Sequence, residues 1–133
     1  MTSAEGAVRT RAIALMTSDA LLADMVHGVF DGTPPRASAP YVTVGTAEGS
    51  DWGTKDRAGR EVRLTLTLVG VGGATEDSAA ARVEAVVTAL RGPAGAWSVV
   101  GARTIRTRFT FARDGGWRHE VVVRCRCLAA CVH

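Results

Sequence analysis

From Arg60 to Val69 the chain alternates without a break: Val62, Leu64, Leu66 and Leu68 fall on one side, Glu61, Arg63, Thr65 and Thr67 on the other. A period of two over ten residues cannot form the stripe of an amphipathic helix, so the segment is a strand with one apolar and one polar face. A single apolar face must be covered, and the neighbouring segments supply the cover. Ala4, Val8, Ala12, Leu15 and Met16 recur at helical spacing, predicting a helix over Ser3 to Met16. Ser18-Asp19 can cap a second short helix in which Leu22, Met25 and Val26 share a face, and Gly28 stops it. Val83, Val86, Val87 and Leu90 follow at i, i+3, i+4 and i+7, another core-facing stripe. Glu76 and Asp77 suit that helix's N-terminus, and Gly92-Pro93 ends it.

Further strands are expected at Val29–Asp31, before a loop over Gly32–Pro40 whose prolines forbid helix, and at Tyr41–Thr46. Gly49–Gly59 reads as a polar loop holding Trp52, long enough to project as a hairpin arm. Gly70, Gly72 and Gly73 interrupt the central strand. The last third reads as a long hairpin. Ile105, Phe109 and Phe111 alternate with Arg106, Arg108 and Thr110, Asp114-Gly115-Gly116 turns the chain, and Val121, Val123, Cys125 and Cys127 alternate with Glu120, Arg124 and Arg126. The sum is one α+β domain over residues 1–133: an antiparallel sheet of four to five strands with two main helices packed on one face.

Chemistry is sparse. His119, Cys125, Cys127, Cys131 and His133 cluster near the C-terminus, but a zinc site would show CxxC-type pairs separated by a longer loop. Cys125 and Cys127 instead share the apolar strand face with Val121 and Val123, where a thiol behaves as a small hydrophobe. His119 lies six residues from Cys125, roughly 20 Å of extended chain, which is too far for a base. His27 has no evident acid or nucleophile tied to it, and no phosphate loop or nucleophile elbow occurs in a supporting context. The reading is a protein without catalytic residues, metal or cofactor, and without a small-molecule substrate.

Two surfaces remain. Fifteen of the sixteen cations are arginine, Lys55 being the lone lysine, and the net charge is +3. Arg63, Arg106, Arg108, Arg124 and Arg126 share the polar side of the sheet with Glu61 and Glu120. Like charges on neighbouring strands repel unless they are solvated or met by an anion. That face is therefore either a solvated one that discourages edge aggregation, or one that meets carboxylates of another subunit or DNA phosphates. The second surface is the loop with Asp51, Trp52, Thr54, Lys55, Asp56 and Arg57, continuing into Arg60 and Glu61. Its tryptophan is either folded back on the protein or offered to a partner. Met1–Ala14 lacks the layout of a signal peptide, three clustered cysteines make no disulfide framework, and no 18-residue apolar run occurs. The chain is expected in the cytoplasm where it is made, with no membrane contact.

Ala14-Leu15-Met16 through Asp19-Ala20-Leu21-Leu22, Val29-Phe30-Asp31-Gly32 and Pro34-Pro35 lead into Pro40-Tyr41-Val42-Thr43-Val44-Gly45, followed by Asp51-Trp52-Gly53-Thr54-Lys55-Asp56 and Gly59-Arg60-Glu61. In order and spacing, across roughly residues 12 to 91, this set resembles the tail-completion or tail-terminator proteins of long-tailed phages and phage-derived gene transfer agents. Gly70-Val71-Gly72-Gly73 departs from the pattern, since relatives often close this strand with a tryptophan or another bulky residue. The resemblance implies a non-enzymatic ring, typically of six copies, that caps the tail tube and joins it to the head-side connector. It implies a virion or virion-like particle assembled in the bacterial cytoplasm. Implied partners are the chain itself, the tail tube protein, the connector protein and, transiently and non-specifically, passing DNA. The 51–61 residues would then make subunit or tube contacts, and the five arginines would pair between subunits or line the channel. A small basic nucleic-acid- or protein-binding module acting as a monomer is the competing reading.

Overall fold

The computed structural model describes residues 3–32, 34, 36–72, 77–113 and 115–130. Gly73, Glu76, Asp114, Cys131 and His133 lie outside them, so the readings that fell there have no structural counterpart. Among the described residues the elements run α1 (Ala4–Ser18), α2 (Ala20–Met25), β1 (Val29–Asp31), β2 (Tyr41–Asp51), β3 (Gly59–Val71), α3 (Asp77–Thr88), β4 (Gly92–Ala94), β5 (Trp97–Phe111) and β6 (Gly116–Ala129). The strands form one sheet in the order β1-β2-β3-β6-β5-β4.

The sheet differs from the expected one in three respects. It has six strands rather than four or five. It is mixed, because β1 runs parallel to β2 while every other pair is antiparallel. And β4 occupies Gly92-Pro93-Ala94, where the sequence reads as a helix stop; as a three-residue edge strand it tolerates the proline, whose missing N–H leaves no ladder bond unmade in the interior. β2 also extends to Asp51 and β5 begins at Trp97, both well beyond the alternation that marks them in sequence. Bulges explain this. The ladder shifts between Val44 and Ala47 in β2, and between Val99 and Gly101 and between Thr104 and Arg106 in β5. Each extra residue inverts the side-chain parity beyond it and bends the strand.

The core forms where the alternating apolar residues of β3 and β6 meet the helices. Val62, Leu64 and Leu66 of β3 and Val121, Val123, Cys125 and Cys127 of β6 are buried, with Val8, Ala12 and Met16 of α1 and Val83 and Val87 of α3 against them. The helix over Ser3–Met16 is thus present, two residues longer than its stripe, with Ser3 as the N-cap accepting from the Gly6 amide at 3.1 Å. Two arginines of α1 fasten it to the rest. Arg9 donates to the Gly45 and Val44 carbonyls at the β2 bulge, both at 2.9 Å, and pairs with Asp31 of β1. Arg11 donates to the carbonyls of Leu90, Ala89 and Arg91 at 2.7, 3.0 and 2.9 Å, tying α1 to the segment between α3 and β4.

The strand that the sequence reading ends at Gly70 continues through Val71, with Trp117 of β6 lying over the glycine. A Cβ at Gly70 would come within 2.1 Å of the indole ring. The bulky group closing this strand is therefore supplied across the ladder rather than from β3 itself.

Asp19 caps α2, accepting from the Leu22 amide at 3.0 Å, and takes two bonds from Arg82 of α3 at 2.8 and 2.6 Å. The Arg82 hydrogen bonds hold its carboxyl below the ordinary carboxylate value, and Glu5 is lowered too, first by a backbone hydrogen bond and then by Arg60. A carboxylate with a depressed folded pKa contributes stability above its unfolded value, about pH 4, and loses it as pH falls through the folded value. The melting temperature of the protein should therefore fall on acidification from pH 5 to about pH 3. The gap between it and Asp19→Asn should narrow over the same window; a gap constant with pH would show that the pair contributes nothing through its charge.

Candidate interaction surfaces

The residues single out two surfaces, and the ladder decides which face each side chain occupies. On the sheet face away from the helices, Glu48, Arg63, Arg124 and Arg103 stand directly opposite one another across β2, β3, β6 and β5. Three arginines thus sit side by side on adjacent strands, about 4.8 Å apart in the backbone. The next row pairs Glu61 with Arg126, and Glu61 also reaches Arg124, both through Nε at 3.5 Å. Arg108 stands opposite Glu120. Among the described residues Arg63, Arg103, Arg106 and Arg108 make no ion pair. Two concavities open on this face: one of about 320 Å³ lined by Arg103, Arg124 and Arg126, and one of about 470 Å³ lined by Arg63, Arg106, Glu48 and Ile105.

The five arginines expected on one face are therefore together there. Ile105 is corrected: it is the bulged residue of β5 and lines the arginine face, instead of joining Phe109 and Phe111 on the helix side. The same bulge brings in Arg103, which counting by twos back from Arg106 assigns to the wrong face. Only the register carries that signal.

The 51–61 segment is not a projecting arm. Because β2 reaches Asp51 and β3 starts at Gly59, the connection is a short turn, closed by Trp52 N–H to the Gly59 carbonyl at 3.0 Å and Thr54 N–H to the Arg57 carbonyl at 2.9 Å. The Thr54 hydroxyl accepts from the amides of Asp56 and Arg57 at 3.3 and 3.2 Å. Arg57 ties the turn to the end of β6, donating through Nε to the Ala129 carbonyl at 3.1 Å. Trp52 is half-buried, with the Arg126 guanidinium 5.3 Å from its ring centre. It thereby joins the turn to the arginine face. Arg60 and Glu61, adjacent in sequence, part company: Glu61 belongs to that face, whereas Arg60 bonds Glu5 of α1 at 3.1 Å on the helix side. Asp51, Lys55 and Asp56 are exposed and form no ion pair among the described residues.

Cys125 and Cys127 are buried free thiols among the core valines, as their alternation indicates. Burial pushes Cys125 up to about 12 and Cys127 up to about 11, so neither supplies a thiolate near neutrality. His119 pairs in register with Leu68 and Phe109, away from both thiols. Among the described residues no His, Cys, Asp or Glu cluster could hold a metal ion, and no helix is long and apolar enough to cross a membrane.

The described residues thus form a layered α+β domain whose arginines gather on one sheet face and whose 51–59 segment is a tight turn beside it. The chain belongs to the tail completion protein gp17 family, whose model matches residues 10–129, and it is a structural, non-enzymatic tail protein. It is also similar to a chain of the virion of a native gene transfer agent particle, with 25% identity and a TM-score of 0.83, over 96% of this chain and 100% of that one. No curated protein matches the sequence.

Proposed function

We propose that the chain assembles, six copies to a ring, at the end of the tail tube of a phage or gene transfer agent particle and joins it to the head-side connector. Assembly would take place in the bacterial cytoplasm and need no cofactor. The observation that carries this reading is the arginine row Arg63–Arg124–Arg103 on the sheet face away from the described helices. Glu48 stands beside Arg63 and Glu61 pairs with Arg124, but Arg63 and Arg103 form no ion pair among the described residues, and an excess of like charge on adjacent strands becomes favourable against an anionic surface. In a ring that surface is the carboxylates of a neighbouring subunit or tube protein, and DNA phosphates wherever the face borders the channel. Rotational rings need two different surfaces per subunit, and the turn around Trp52, with the exposed carboxylates of Asp51 and Asp56, offers the second.

Complementation tests the reading. Particles made without the chain should accumulate heads and tubes that are not joined, and supplying it should restore joined particles. Trp52→Ala, which removes the ring under Arg126, should lower that restoration about tenfold while costing the fold only about 1 kcal/mol, since an interface tryptophan contributes about 1.4 kcal/mol or more to binding. Joined particles at normal yield without the chain would exclude the joining role. A chain that never enters particles and binds DNA as a monomer would favour the binding-module reading instead.

A further inference from the structure

The helix-side face of the sheet ends in an apolar group left largely in water. Near the end of β5, Phe111 is 77% exposed and Phe109 38%. Phe109 stacks on Trp117 at 5.6 Å and meets Phe111 edge-on at 5.0 Å, so Phe111 is held out by a fixed aromatic base rather than lying free. Two rings packed together at the rim of the sheet, one of them mostly in water, offer a surface for a contact.

The other end of β5 carries a groove. Between α1 and the β4–β5 turn, Ala7, Ala14, Leu15, Ala94 and Gly95 line a mainly apolar hollow of about 370 Å³, with Arg11 in its wall. An apolar cavity of about 150 Å³ already accommodates benzene, so a phenylalanine side chain fits. Arg11 gives the groove a preference for an aromatic. Its bonds to the carbonyls of Ala89, Leu90 and Arg91 use donors in the guanidinium plane, which leaves the flat of the group for a ring to stack on.

Knob and groove cannot meet within one molecule. From Trp97, two residues past Gly95 of the groove, to Phe111 is one strand of 15 residues, so the two lie at opposite ends of it, at most about 45 Å apart before its two bulges shorten the path. We infer that Phe111 of one copy inserts into the α1–β4 groove of the next, making a head-to-tail junction between copies of this chain. A pair of unlike patches at opposite ends of one subunit generates a ring or a filament, never a closed two-fold dimer. The inference rests on the ring reading above and adds to it a further pair of unlike surfaces, distinct from the arginine face and the Trp52 turn.

Sedimentation of the purified full chain tests it, using Phe111→Ala and Ala14→Trp, two exposed positions at which the fold should survive. The unsubstituted chain should self-associate with concentration, and each variant should associate about tenfold more weakly. An equimolar mixture of the two variants should yield a one-to-one heterodimer and nothing larger, because it holds one intact knob and one intact groove. Variants that associate like the parent would overturn the junction and leave the ring reading standing on other surfaces. A parent chain that stays monomeric to about 1 mM would also overturn it, while the ring reading would still be judged by particle joining.

Discussion

Trp117→Ala should cost about 3–5 kcal/mol of stability, a fall of roughly 10–20 °C in melting temperature. The ring is 2% exposed, packs over Gly70 and stacks with Phe109, so its removal leaves a void at the point where the ladder between β3 and β6 has no β3 side chain to fill it. Gly70→Ala should be destabilising for the converse reason: its Cβ would sit 2.1 Å from the indole. The two sites are coupled. In the Trp117→Ala background the Gly70→Ala cost should largely vanish, which a double-mutant cycle by thermal or denaturant unfolding reads directly. Trp117→Phe should be much milder than the alanine, because the indole Nε1 has no hydrogen-bond partner among the described residues and its loss breaks none. Additive costs at Gly70 and Trp117 would contradict this packing.

Replacing Arg63, Arg103 and Arg106 together by glutamine should leave the fold intact and reduce particle joining by about 10–100-fold, the range expected when charged contacts with a partner are cut. The two effects separate because these three side chains make no ion pair within the described chain, and two of them stand in or beside a row of like charges. Relief of that repulsion should hold the melting temperature level or raise it slightly. Glu61→Gln behaves differently, since it strips the carboxylate shared by Arg124 and Arg126 and should lower stability modestly, by about 1 kcal/mol or less for half-exposed pairs. A triple variant that unfolds would make the arginines structural; one that joins particles normally would make the face a solvated surface.

How much of this the sequence discloses depends on where periodicity survives. In β3 the alternation is unbroken, so its buried face, its arginine and glutamate face, and the inward thiols of its partner β6 can all be read from residue order alone. In β5 two bulges shift the parity, which misplaces Ile105 and hides Arg103. β1 and β4, three residues each, are too short for a period, and the parallel pairing of β1 is a property of the tertiary arrangement. The segment around Trp52 was recognisable as a surface of mixed charge. Its compactness was not, because the hydrogen bond from Arg57 to Ala129 joins residues 72 apart in the chain. Phe111 shows the same limit differently: alternation correctly puts it on the helix side of the sheet, but only the structure shows it 77% exposed there.

Electron cryo-microscopy of purified particles bears most directly on what this protein is for. The account predicts six copies in a ring between tube and connector, with Phe111 of each copy seated against Arg11 of its neighbour. Particles that are joined and complete, with no copy of the chain at that level, would contradict it.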